Sequence, residues 1–207
     1  AKGELERDFG SEVFTILANG SVEEEVRAAV EAGAEHFGGR IDVLINNAQA
    51  SASGLTLVQH SEEDFDLAVR SGLYATFFYM KHAYPYLKET AGSVINFASG
   101  AGIGGNPGQS SYAAAKEGIR GMSRVAASEC RQHQREHRMP HRHDEGARGM
   151  ARAQARDVRE EREGDPARTL RRRGEGRRTR VRVLSRPDAS FVTGDTIMVQ
   201  GGSGMKP

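Results

Sequence analysis

The chain has no tryptophan, one cysteine and no long apolar run. With Cys130 as its single cysteine, it can hold neither an intrachain disulfide framework nor a cysteine-based zinc cage. That usage points to a reducing, cytoplasmic setting. The longest apolar stretch, Leu73–Met80, is interrupted by Thr76 and falls far short of the roughly 20 residues that cross a bilayer. The first residues show neither an initiator Met nor a signal peptide, so an N-terminally incomplete chain is expected. Aromatics make up only 6% of the 207 residues, and none falls between Tyr112 and Phe191. Arg131–Arg182 also lacks lysine, yet holds 17 arginines, nine acidic residues and four of the seven histidines. That segment is +8, which leaves −7 on the rest of a chain of net charge +1. Its apolar residues larger than Ala are only Met139, Met150, Val158, Leu170 and Val181. So little apolar surface cannot offset the entropy of ordering the segment.

The remainder reads as a globular protein. Val13–Leu17 is an apolar run of strand length. Ser21–Glu24 has the form of a capping box, and Val22, Val26, Ala29, Val30, Ala34 and Phe37 then recur at helical spacing. Gly38-Gly39 would stop that helix. Ile41–Asn46 predicts a second buried strand, Ser61–Asp64 the start of a helix running to about Leu87, and Ser93–Ala98 a third strand. A glycine-rich loop, Gly100–Gly108, precedes an alanine-rich helix over Ser111–Glu129, and Thr196–Val199 reads as a short closing strand. Alternating strands and helices predict βαβ units and a mainly parallel sheet. Near-continuous apolar strands predict that both faces of that sheet are covered. The fold class is therefore α/β.

Ser99, Tyr112 and Lys116 form the chemical constellation. Tyr112-Ala-Ala-Ala-Lys116 sets a phenol and an ammonium one helical turn apart on one face. A phenol of pKa about 10 is a poor acid–base at neutral pH, but a neighbouring cation favours its phenolate. Tyr112 could then exchange a proton with an alcohol or carbonyl oxygen. Ser99, at a strand end, could hold the same oxygen. On most helices a Tyr-x-x-x-Lys pair is a surface pair. The strand, serine, glycine-rich loop and alanine-rich helix around this one give it its weight.

These residues resemble the short-chain dehydrogenases/reductases. The matching pieces are Asn46-Asn47-Ala48 after a strand, Ser99, Tyr112 with Lys116, Asn19 in the slot of an adenine-contacting residue, and Phe191-Val-Thr-Gly194 followed by Val199-Gln-Gly-Gly202. Ser99–Lys116 is most similar to 3-oxoacyl-carrier-protein reductases and related ketoreductases. The resemblance implies a Rossmann-type, doubly wound parallel sheet in three αβα layers, and hydride transfer between NAD or NADP, with NADP favoured, and a carbonyl/alcohol pair. It makes Tyr112 the general acid/base, Lys116 the group that lowers its pKa and holds the nicotinamide ribose, and Ser99 the group that polarises the substrate oxygen. Asn19, Asn47, Ala48, Tyr112 and Lys116 become cofactor-binding residues, with no metal. It further implies a small-molecule substrate, a homodimer or homotetramer, and an interface over helices 61–87 and 111–129.

The chain departs from that pattern in three places. Gly72 stands where many members carry an Asn that supports a proton-relay water, and Gln49 stands where they carry a Gly. The first βαβ unit, with its phosphate turn and the strand whose end chooses NAD or NADP, is not found. Gly100–Gly105 fits G-x-G-x-x-G, but Asn106-Pro107-Gly108 follows it in place of a helix and Glu117 is too near. It reads as a flexible loop on the substrate side.

Residues 131–183 form an atypical arginine-rich insert within one incomplete domain, 1–207, and admit three readings. A nucleic-acid-binding tail would use the arginines on phosphates, against nine interrupting acids and without an aromatic to stack on bases. A metal site at His133, His137, His141 and His143 meets the helix breaker Pro140 and repelling arginines. The third reading is a frame error. Allowed codons for Arg131–Asp144, read one base later, can spell a strand and a proline-containing loop like the family's next elements. The same exercise on Arg171–Leu184 can spell a helix like the one before the closing strand. The frame reading leads, and it predicts a chain that binds dinucleotide weakly with these residues as written. The alternative function is a catalytically inactive dehydrogenase-like fold with a basic nucleic-acid-binding segment.

Overall fold

The computed structural model describes residues 2–137, Leu184, Ala189 and 192–198. The chain divides into two units, Ala1–Ser123 and Arg124–Pro207, and the first carries both strands described below. Helix α1, Lys2–Phe9, buries none of its residues. Residues 10–19 then run without helix or strand. Helix α2 covers Glu23–His36 and is capped by Val22 with no side-chain bond. The expected box at Ser21 and Glu24 is therefore displaced. With Val22 as cap, Glu25 occupies the third helical position. Its carboxylate reaches back to accept the Asn19 N–H at 2.8 Å, while Asn19 Oδ1 accepts from Ser21 N–H at 3.0 Å. The stop falls as the glycines predict. Gly38 and Gly39 take φ of +70° and +80°, and Gly39 N–H donates to Ala34 O at 2.8 Å.

Strands β1, Val43–Asn46, and β2, Ser93–Asn96, pair in parallel, with Val43 opposite Ser93 and Asn46 opposite Asn96. A helical crossover joins them, as parallel pairing requires. It consists of α3, Glu62–Ala68, a π turn at Val69–Tyr74, and α4, Ala75–Thr90. Ser61 and Asp64 form the predicted capping box at its start. Val26 and Val30 of α2 and Phe78, Ala83 and Leu87 of α4 make the buried cluster, and Ile41, Leu44, Tyr79 and Tyr86 pack on it. At the head of β2 the backbones approach closely. A Cβ on Gly92 would stand 2.6 Å from Asp42 O, the oxygen that accepts Ser93 N–H at 2.9 Å.

Helix α5, Gly100–Gly104, and helix α6, Ser110–His137, follow β2. The sequence expectation thus needs five corrections. The strands are not covered on both faces: of the two, only Leu44 packs on the α2–α4 cluster, and Ile45 and Val94 are 46% and 39% exposed. Val13–Leu17 is not a strand. It pairs with neither β1 nor β2, so its backbone gains no ladder and Leu17 is fully exposed. Its surroundings are instead side-chain contacts: Phe14 stacks on His36 at 4.2 Å, and His36 meets Glu12 at 2.6 Å. Thr196–Met198 forms no strand, and Val199 lies outside the described residues. The glycine-rich stretch is helical to Gly104 rather than a loop, because Ser99 caps it. Finally, α6 continues eight residues past Glu129, through arginine, glutamine and glutamate of good helix propensity and ahead of Pro140. The remainder of the arginine-rich segment, from Arg138 onward, lies outside the described residues.

Candidate active site

Parallel pairing sets the C-terminal ends of both strands at one edge, the place where open α/β sheets receive ligands. Asn46 and Asn96 end the pair. The Asn46 side chain donates to Asn96 Oδ1 at 2.8 Å, and Asn96 donates to Ser123 Oγ at 2.8 Å. Phe97 N–H continues the pairing onto Asn46 O at 3.0 Å. Asn47 and Ala48 follow β1 and are exposed. Ser99 follows β2, half-buried.

Helix α6 brings Tyr112 and Lys116 to this edge. Lys116 is only 4% exposed. Its ammonium donates to Phe97 O at 2.7 Å and stands 5.6 Å from the centre of the Tyr112 ring. Burial disfavours the charged form, so the Lys116 pKa lies below the ordinary lysine value. Ser99 Oγ accepts from Ala101 N–H at 3.2 Å. That bond uses one lone pair and leaves the hydroxyl proton to donate. Tyr112, Lys116 and the strand end that carries Ser99 are thus brought together. Asn19 stays in the turn that opens α2, with its side chain engaged by Ser21.

Several residues that sequence reasoning did not assign also bear on this edge. Arg120, one turn beyond Lys116, donates to Ser99 O at 3.4 Å and to Glu117 at 2.7 Å. The Glu117 carboxylate lies where a Cβ of Gly102 would sit, which places negative charge over the Gly100–Gly105 motif and makes it a poor phosphate cradle. His60 Nε2 lies 3.2 Å from Ser111 Oγ, next to Tyr112. Gln49 reaches Ala68 O at 3.2 Å, and its neighbour Ala50 is bonded through both N–H and C=O to Ser71 Oγ at 3.0 Å. The Gln49 and Gly72 departures were the visible signal for this contact. Their meeting required the fold. Among the described residues no three His, Cys, Asp or Glu side chains group as metal ligands. No helix among the described residues is long and apolar enough to cross a membrane.

Residues 1–135 match the family model described as short chain dehydrogenase. The chain belongs to the short-chain dehydrogenase family. The match ends just inside the arginine-rich segment. A 12alpha-hydroxysteroid dehydrogenase of Clostridium sp. (strain ATCC 29733 / VPI C48-50) is 44% identical, with 100% of this chain aligned to 82% of that protein. A 3-oxoacyl-[acyl-carrier-protein] reductase of Thermotoga maritima is 38% identical over 56% of this chain and 47% of its own. An alcohol dehydrogenase of Thermococcus sibiricus, solved with 5-hydroxy-NADP, superposes with a TM-score of 0.59 at 26% identity, over 62% of this chain and 54% of the neighbour. The chain therefore spans about half the length of that reductase and of that solved neighbour. Membership makes the fold a Rossmann-type α/β dehydrogenase, the class an oxidoreductase, and the cofactor a nicotinamide dinucleotide. The nucleic-acid-binding alternative finds no support among these relatives.

Proposed function

We propose that this chain interconverts a carbonyl and a secondary alcohol with NAD or NADP, using Tyr112 as the proton-transferring group. The observation that carries the proposal is the buried Lys116 ammonium, held at 2.7 Å by Phe97 O and 5.6 Å from the Tyr112 ring. A cation so placed can hold the substrate and cofactor oxygens that Tyr112 faces while the phenol exchanges its proton. The donor set at this edge fits the ribose half of a dinucleotide. Lys116 has three N–H donors and spends one on Phe97, while Asn47 and Ala48, exposed at the end of β1, are assigned to the adenosine side. Asn19 is assigned to the adenine side. The dinucleotide supplies the hydride and the redox equivalents. Ser99 donates its free proton to the substrate oxygen, and Tyr112 gives that oxygen its proton in reduction or removes it in oxidation.

NADP is our preferred cofactor, supported by the ligand of the Thermococcus neighbour. The 44% match makes a hydroxysteroid the first substrate to try. We assign a homodimer or homotetramer, supported by exposed Phe65, Leu67, Tyr74 and Phe77 along the α3–α4 crossover, and a cytoplasmic setting, supported by the single cysteine. Light scattering on the purified chain tests that assignment, and a monomer would end it. We also assign 1–207 to one incomplete domain whose residues 131–183 are out of frame. The family-model match that stops at residue 135 supports this, while the 44% identical relative, aligned along the whole chain, weighs against it.

The deciding experiment pairs a peptide mass map of 131–184 with an NADPH titration. Arg-ended peptides of the written sequence, without dinucleotide binding or turnover, would end the catalytic reading for this chain. Peptides of the shifted frame would keep it for the intact protein. Micromolar binding by the chain as written would retire the expectation that this segment disables it.

A further inference from the structure

We infer that Gln49 and Gly72 form a matched pair that fixes the loop after β1, making Gln49 a positioning residue for the dinucleotide. The positioning role rests on the proposed placement of Asn47 and Ala48 against that dinucleotide. Three observations meet here. A Cβ on Gly72 would stand 2.5 Å from Gln49 Cδ and 2.8 Å from both Nε2 and Oε1, so the amide occupies the space that any other residue at 72 would fill. Gln49 Nε2 donates to Ala68 O at 3.2 Å, while its Oε1 is buried without a hydrogen-bond partner among the described residues. An unpartnered buried carbonyl is costly, and it persists only where packing fixes the amide. Ser71 Oγ accepts the Ala50 N–H at 3.0 Å, and its single proton is shared between Leu67 O at 2.5 Å and Ala50 O at 3.0 Å.

All of these anchors, Ala68, Ser71 and Gly72, lie in or beside the π turn Val69–Tyr74. Such a turn widens the helix by one residue and loosens its i→i+4 ladder. Gly72 O is taken up by Thr76 Oγ1 at 2.7 Å. The loop 47–50 is therefore held by directional bonds to a helical irregularity. Asn47 and Ala48, two residues and one residue before Gln49, take their position from this seat.

The test is a double-mutant cycle in the full chain: Gly72→Ala, Gln49→Gly and both together. Each variant is read by its melting temperature and by NADPH affinity from fluorescence titration. Gly72→Ala alone is expected to expel the amide, lower the melting temperature by about 2–4 °C and weaken NADPH binding by roughly tenfold or more, since ångström-scale misplacement is that expensive. In the double variant Gln49→Gly removes the side chain that the new methyl strikes. Affinity and melting temperature should then return to those of Gln49→Gly alone, a strongly non-additive result. Gln49→Glu adds a reading that bulk alone would not move. Its carboxylate repels Ala68 O, so NADPH affinity should fall as that carboxyl ionises and recover at acid pH. Additive melting temperatures would overturn the pair. Non-additive melting temperatures with unchanged NADPH affinity in Gly72→Ala would overturn the positioning role. Failure of the unsubstituted chain to bind NADPH would count against the functional reading only where the peptide map shows 131–184 as written, and the pair would then stand or fall on the melting temperatures.

Discussion

The two sides of the first unit are held by different forces. Where α2 and α4 meet β1, the contacts are apolar and directionless, among Val26, Val30, Phe78, Ala83 and Leu87. Charge on that side is confined to the surface, as in Glu23 with Lys81 at 2.6 Å and Arg27 with Glu24 and Glu31. At the strand ends the ties are polar and directed at main-chain oxygens. Lys116 holds Phe97, Arg120 holds Ser99, and Gln49 holds Ala68. Packing supplies stability in proportion to buried area. A hydrogen bond supplies little net stability but fixes an atom's position. Substitutions on the two sides should therefore fail differently.

Tyr112→Phe should give the largest effect. It removes one oxygen from a half-buried ring and leaves the apolar cluster untouched. Turnover should fall by about 10²–10⁴, the usual share of a general acid–base group, with the melting temperature within a degree or two of the parent. A comparable fall in stability would mean that the strand-end side also carries the fold. Phe78→Ala attacks the other side. Phe78 is 9% exposed within the cluster, and such truncations cost about 3–5 kcal/mol. Chemical denaturation should show that loss, while the fraction still folded keeps its NADPH affinity.

Gly92→Ala should cost less, about 1–3 kcal/mol, as overpacking does. Its new methyl would face Asp42 O at 2.6 Å, a backbone atom that cannot rotate away. That oxygen also accepts the first bond of β2, so the strain enters the strand pair itself. A variant as stable as the parent would show that the β1–β2 register can slide at its head.

The same division explains what could be read in advance. The apolar side was legible in α2, where Val26, Val30 and Ala34 recur at helical spacing and are all buried. The apolar runs at 41–46 and 93–98 located both strands but overstated their burial, since Ile45 and Val94 are exposed. Tyr112 and Lys116 were legible as a pair, since four residues of helix fix their relation whatever surrounds them. Val13–Leu17 was misread because a strand is a property of two segments, and composition describes only one. The Ser21 box failed by a single residue of register, a shift that leaves the sequence pattern intact. Gln49 over Gly72 joins positions 23 residues apart in sequence, and Arg120 on Ser99 joins positions 21 apart. Contacts of that range depend on the crossover geometry, and no local spacing encodes them.

The finest distinction between the two sides is electrostatic, and it appears at opposite ends of the pH scale. Lys116 is buried and its pKa lies below the ordinary 10.5. Between its depressed value and 10.5 the unfolded chain holds more protons, so stability should rise with pH across that window. Lys116→Met removes the group and should flatten the rise. Glu23 is exposed, and its hydrogen bonds with Lys81 and then His82 lower its pKa from 4.5. Its contribution is present above 4.5 and is lost as pH falls through the lowered value. Glu23→Gln should remove that acid-side slope. Salt separates the two. At about 1 M the screening length is only ~3 Å, so exposed pairs fade while buried charges do not. Melting curves at both pH extremes, with and without salt, should therefore lose the Glu23 slope and keep that of Lys116. Equal salt sensitivity at both ends would mean that Lys116 is open to solvent, and its hold on Tyr112 would weaken accordingly.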